Sequence, residues 1–158
     1  MRKLSDEKTL AILIVTGFCL FLGFWFYPRT SAEQAFTDFQ TKQTKESYIV
    51  VPLCNAGENV VPLVIEKIKN KELERRRYAI SFLGTGEYPE AIPVLEKIAG
   101  DETETIYFRA DALESLYLID ETKGKSIAQE YRNRDGLLGE VSREVLDKKD
   151  YADYIKKN

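Results

Sequence analysis

The chain contains no histidine, only two cysteines, and a single methionine and tryptophan. Without histidine there is no Ser-His-Asp or Cys-His nucleophile system, no histidine-ligated metal and no histidine-held haem. Two cysteines are too few for a zinc cluster or a disulfide-stapled fold. An excess of positive charge is missing too. The 23 Lys and Arg face 26 Asp and Glu, a net charge of −3 with a pI of about 5.2, whereas a phosphate-backbone binder needs a basic face. The Asp-x-Asp-x-Asp-Gly loop of an EF-hand is also absent. These absences predict no catalytic residue, no metal, no cofactor and no nucleic-acid partner. What is present is a globular composition, 44% apolar, 31% charged and 11% aromatic over 158 residues, enough for one modest domain with an appendage.

The appendage is N-terminal. Residues 9–28 read TLAILIVTGFCLFLGFWFYP with no charged residue between Lys8 and Arg29. At 1.5 Å rise per residue such a run spans about 30 Å, the hydrocarbon thickness of a bilayer. Phe24, Trp25, Phe26 and Tyr27 close it with the aromatic belt expected at a headgroup boundary. Arg2, Lys3 and Lys8 precede the run and only Arg29 follows closely, so the positive-inside rule puts residues 1–8 in the cytoplasm and the remainder outside. The chain is therefore expected to be single-pass in an inner or plasma membrane, its C-terminal domain periplasmic or extracellular. A cleaved signal peptide would need a shorter run and small residues before the cut, for which Thr30 and Ala32 are weak candidates. A lipoprotein signal is rejected because Cys19 follows Phe18 and has more apolar chain after it. With Cys19 in lipid and Cys54 outside, no intrachain disulfide is expected.

Residues 29–45 form an amphipathic linker. Ser31 and Gln34 have capping-box spacing, and Ala32, Ala35, Phe36 and Phe39 share one helical face. That face either packs on the following domain or serves as a stalk for a partner.

Residues 46–158 carry an internal repeat. LCNAGENVVPLVIEKIKN (53–70) resembles FLGTGEYPEAIPVLEKIAG (82–100), and Arg76, Arg109 and Arg143 stand 33 and 34 residues apart, each before an apolar face. Units of that length are helix pairs that cannot bury their apolar faces alone and must stack. First helices are expected near 46–55, 72–84, 103–119 and 137–148, and second helices near 59–70, 89–99 and 122–132. Gly57, Gly86, Gly100 and Gly124 are expected in loops, and Pro62 and Pro93 in or near first turns. No alternating run supports a sheet, and IVVPL (49–53) is read as helix because Pro52 weakens a strand.

The motif Arg76-Arg77-Tyr78-Ala79-Ile80-Ser81-Phe82-Leu83-Gly84 followed by Ala91-Ile92-Pro93-Val94-Leu95 resembles the HEAT-like repeats first grouped with phycobilisome lyases. The resemblance covers about residues 46–148 and is closest in the central repeat. It implies an all-α fold, a short right-handed α-solenoid of HEAT-like helix pairs preceded by a single transmembrane helix and used as a protein-binding surface. The di-iron hydroxylases of that superfamily use His-Glu pairs, which a chain without histidine does not supply.

In such solenoids the second helices line the concave surface. The partner-contact candidates are therefore Glu66, Lys67, Lys69, Glu90, Glu96 and Lys97, with Tyr88 in the loop before. Arg76, Arg109 and Arg143 are assigned to the repeat interface, bonding loop carbonyls or an acid such as Asp101 or Asp111. The run 72–77 reads as a solvated helix face or a short basic docking site. The cluster Asp101-Glu102-Thr103-Glu104 reads as helix capping rather than a calcium site. Tyr151, Tyr154 and Ile155 would close the last repeat or extend a partner contact. The expected role is that of a non-enzymatic interaction module, a membrane-anchored scaffold or accessory subunit that binds other proteins. The competing class is a lyase-type or chaperone-like enzyme with a deep polar pocket.

Overall fold

The computed structural model describes residues 30–147, and every regular element among them is helical. The expected membrane segment 9–28 and the tail 148–158 lie outside the described residues. Among the described residues, those from Ser31 onward form one compact unit.

The first helix, α1 (Ala32–Thr41), starts where Ser31 Oγ accepts the Gln34 N–H at 3.1 Å. The return arm of the expected capping box is not made, because Gln34 Nε2 donates to Asp38 one turn on. Ala35, Phe36 and Phe39 are buried, with the two rings 5.7 Å apart. The helix thus packs into the domain, against the short α2 (Val51–Ala56). A 3-10 turn, Gly57–Val60, leads into α3 (Val61–Lys67). Pro52 and Pro62 sit in the first turns of α2 and α3, where a missing N–H is tolerated.

By length and composition Glu46–Lys67 is long and apolar enough to cross a membrane. It is not a single straight helix. Gly57 takes φ +60 and divides it into pieces of six and seven α-helical residues, each far shorter than the roughly 20 a span requires. Leu53, Val60, Val61 and Val64 are buried in the core.

Five longer helices follow: α4 (Arg76–Thr85), α5 (Ile92–Gly100), α6 (Ile106–Ile119), α7 (Glu121–Tyr131) and α8 (Leu137–Asp147). The expected helix over 72–84 begins only at Arg76, since residues 70–75 are occupied by turns closed by Leu73 N–Asn70 O and Arg76 N–Leu73 O bonds. Likewise 103–105 stay outside α6, because Thr105 is its N-cap.

The hub is α6, which packs on α4, α5, α7 and α8. Leu116 and Ala112 face the core shared with α1–α5, whereas Leu113 and Ala110 face a second cluster with Ala128, Leu138 and Val145. Apolar residues on two faces are what a helix buried between neighbours needs. Two glycines permit the close approach. A Cβ on Gly84 would lie 2.6 Å from Ser115 Cα, and one on Gly124 would lie 2.4 Å from Tyr117 Cα.

Gly124 is therefore not a loop residue, as the sequence suggested. The link from α6 to α7 is Asp120 alone, which ends one helix and caps the next by accepting the Lys123 N–H at 2.9 Å. So tight a turn presses the first turn of α7 onto α6. Gly100 is also helical, the last residue of α5.

Gly124→Ala is expected to lower the unfolding free energy by about 1–3 kcal/mol, the usual penalty for overpacking. Gly100→Ala, with nothing within 4 Å of the added Cβ, is expected to be neutral or to stabilise by up to about 1 kcal/mol. Denaturant melts of the two variants side by side check this.

Candidate functional site

The exposed edge of α3 and α5 holds the residues expected to meet a partner, and the fold sorts them into two places. At the N-terminal ends of the two helices lies a groove of about 460 Å³. Its apolar surface is Val61, Pro62 and Ile65 of α3, faced by Tyr88 and Pro89 from the loop before α5. Glu58, Glu87 and Glu90 complete its lining, which contains no Lys or Arg. Tyr88 leans on Phe82, ring centroids 5.4 Å apart and tilted by 44°. Gly86 leaves room for that ring, since a Cβ there would lie 2.2 Å from Tyr88 Cε2. Burial, with Cys54, Glu58 and Glu90 nearby, raises the Tyr88 phenol above its ordinary value of 10.0, so it stays a neutral hydroxyl donor at physiological pH. Glu87 takes φ +53, left-handed backbone that a residue with a side chain seldom adopts.

At the C-terminal ends of the same helices is a smaller hollow of about 170 Å³, with Lys69, Lys71 and Lys97 around it. Lys71 bonds Asp101 at 2.8 Å and Lys69 bonds Glu66 at 2.6 Å. Of the expected partner residues, Tyr88 and Glu90 thus share the groove, and Lys69 and Lys97 share the hollow. Glu66 is paired with Lys69, Glu96 is paired with Lys123 at 2.9 Å, and Lys67 lines neither place. Sequence reasoning missed Glu58, Glu87 and the aliphatic floor. The available signal was an acidic residue in each loop entering a second helix.

The recurring arginines mark the joints behind this face. Arg76 is 1% exposed. Its Nε donates to Ile68 O at 2.6 Å, and its two terminal nitrogens grip Glu104 Oε1 and Oε2 at 2.7 Å each. The guanidinium also lies 4.9 Å from the Phe108 ring centroid. Its acid is therefore Glu104, whereas Asp101 serves Lys71 and Asp111 serves Arg77. The acidic cluster thus pairs with cations rather than capping α6, whose cap is Thr105.

Arg109 repeats part of this pattern. Its Nε donates to Ala99 O at 2.9 Å, and the group sits 5.2 Å from the Tyr131 ring centroid, while Nη2 is buried without a partner among the described residues. Arg143 is exposed and bonds Arg132 O at 2.9 Å. The run 72–77 is no continuous docking face either. Arg75 holds Phe39 O and Lys42 O at the end of α1, and Arg76 is buried.

Compared with protein-family models, with curated proteins and with solved structures, the chain finds no match.

Arg76→Ala is expected to cost about 3 kcal/mol, because it leaves the Glu104 carboxylate, only 4% exposed, with Lys71 at 3.7 Å in place of its two-pronged hydrogen bond. The double change Arg76→Met with Glu104→Leu removes both charges and should recover most of that loss. Chemical denaturation of the three proteins tests the pair.

The acid side of the stability profile follows from the same contacts. Hydrogen bonds from Arg76 hold Glu104 below its ordinary 4.5, and those from Lys71 and Thr103 hold Asp101 well below 3.8. Their contribution is therefore complete above those ordinary values and is lost as pH falls through the lower folded values. Burial outweighs Arg77 at Asp111 and raises its pKa, so that group has the opposite sign and gains on acidification. Denaturation midpoints should hold from pH 7 to about 5 and fall below about pH 4. Arg76→Ala should flatten that fall.

Proposed function

We propose that this chain is a membrane-anchored protein-binding module. Residues 9–28 would anchor it with residues 1–8 in the cytoplasm, and the helical domain would recruit or scaffold another protein on the outer side, as a scaffold or accessory subunit of a membrane complex. The observation that carries this reading is the groove of about 460 Å³ on the exposed edge of α3 and α5, apolar along its floor and acidic at its rim. An apolar cleft with a few oriented polar groups is the form that recognition sites take.

The α-solenoid architecture belongs to the same proposal. It is supported by the repeated bond from an arginine of a first helix to a carbonyl at or just past the end of the helix before it, Arg76 to Ile68 and Arg109 to Ala99, with Arg143 to Arg132 following the same order. Stacked like units present their second helices as an open face.

Gentle detergent extraction of the tagged full-length protein, followed by sizing and mass spectrometry, tests the role. A stoichiometric protein partner is expected. A monomer that retains its anchor and carries no other protein in the membrane extract would count against a constitutive subunit.

Topology is tested through Cys54, which is exposed. A membrane-impermeant maleimide applied to intact cells, or to cells with a permeabilised outer envelope, should label Cys54 without lysis. Labelling only after lysis would reverse the orientation.

A further inference from the structure

We infer that the groove between α3 and the loop before α5 receives a basic, extended segment of a partner protein, with one aliphatic side chain seated between flanking lysines or arginines. The inference rests on the protein-binding reading above and names the class of segment recognised.

Charge complementarity carries it. Glu58, Glu87 and Glu90 are exposed, and among the described residues none of their carboxylates has an ion pair or hydrogen bond. On the same two helices and the segments beside them other acids are paired: Glu66 with Lys69, Glu96 with Lys123, Asp101 with Lys71. The three groove carboxylates thus stand without a cation around one apolar floor of Val61, Pro62 and Ile65. Three like charges around an apolar surface attract a cation and penalise an anion.

The two sides of the groove set the shape of the occupant. Glu58 enters from the turn before α3, and Glu87 and Glu90 from the loop before α5. A segment with three residues per turn, as in a polyproline-II conformation, directs one side chain to the floor and its neighbours toward the two rims. The backbone at Glu87 fits a functional rim. The left-handed position follows directly after Gly86, yet it is occupied by a residue whose side chain is strained there and whose carboxylate joins the groove.

The test uses full-length protein in dodecyl maltoside micelles and fluorescence anisotropy. The probe is a short fluorescein-labelled peptide alternating lysine with leucine and proline, and the control replaces its lysines with glutamate. The lysine peptide is expected to bind, to weaken as salt rises, and to exceed the control by at least about tenfold. The triple variant Glu58→Gln, Glu87→Gly, Glu90→Gln should lose about tenfold or more in affinity. Lys97→Gln, in the other hollow, should bind like the parent. Glu87→Gly relieves the left-handed strain, and matching circular-dichroism melts establish that the triple variant is folded.

Equal binding of both peptides, no binding of the lysine peptide, or undiminished binding by the folded triple variant would each overturn the inference. Binding that appears only after deletion of residues 148–158 would also overturn it, by assigning the groove to the chain's own lysine-containing tail. A triple variant that fails to bind the peptide but still copurifies a protein partner would also count against the inference while leaving the protein-binding role intact.

Discussion

A single buried guanidinium holds the middle of this domain together. Arg76 begins α4, yet its bonds reach back to the carbonyl of Ile68 at the end of α3 and forward to Glu104 just before α6. Removing a charge from water costs several kcal/mol. Here that is offset by a fork-to-fork carboxylate contact, a carbonyl and the face of Phe108. The value of such a group lies in position as much as in energy. It is satisfied in one arrangement of three consecutive segments, so it sets where α4 starts, how α3 ends and where the next pair must dock.

The joints become less complete toward the end of the chain. Arg109 keeps the backward bond to Ala99 and an aromatic neighbour, Tyr131, but one of its nitrogens is buried without a partner among the described residues. Arg143 keeps only a bond to Arg132 and is exposed. Arg76 is enclosed by segments on both sides, whereas Arg143 lies at the exposed end of the described residues. The glycine contacts supply the rest of the fit. Gly84 against Ser115 and Gly124 against Tyr117 bring α4 and α7 onto α6 at distances no larger residue allows.

This packing leaves one exposed edge with its charges separated. Acids without cations lie just before α3 and α5 begin, whereas lysines stand beside acids where the two helices end, an order that the helix dipole favours. The dipole accounts for the order but not for the pairing. Most of the lysine end is tied to nearby acids, whereas the acids of the groove have no partners among the described residues. What sets the groove apart is that its three unpaired carboxylates surround an apolar floor.

The helical character of residues 30–147 was legible in the chain because it rests on local chemistry: apolar spacing of three and four, prolines suited to first turns, and arginines at a period of 33 to 34 residues. The spacing and the prolines act over one or two turns, and the arginine period is read along the chain, so none of them needs knowledge of which helices meet. Tertiary structure decided what depends on reach across helices. Arg76 takes Glu104 rather than Asp101 or Asp111 because only Glu104 meets both ends of the fork once α4 and α6 are docked. Gly124 lies inside a helix because a one-residue link forces α7 against α6. Glu58 and Glu87 become neighbours of one groove although 29 positions separate them. Periodicity places residues on a face, but which faces meet, and which charges are left without a partner when they do, is settled by packing.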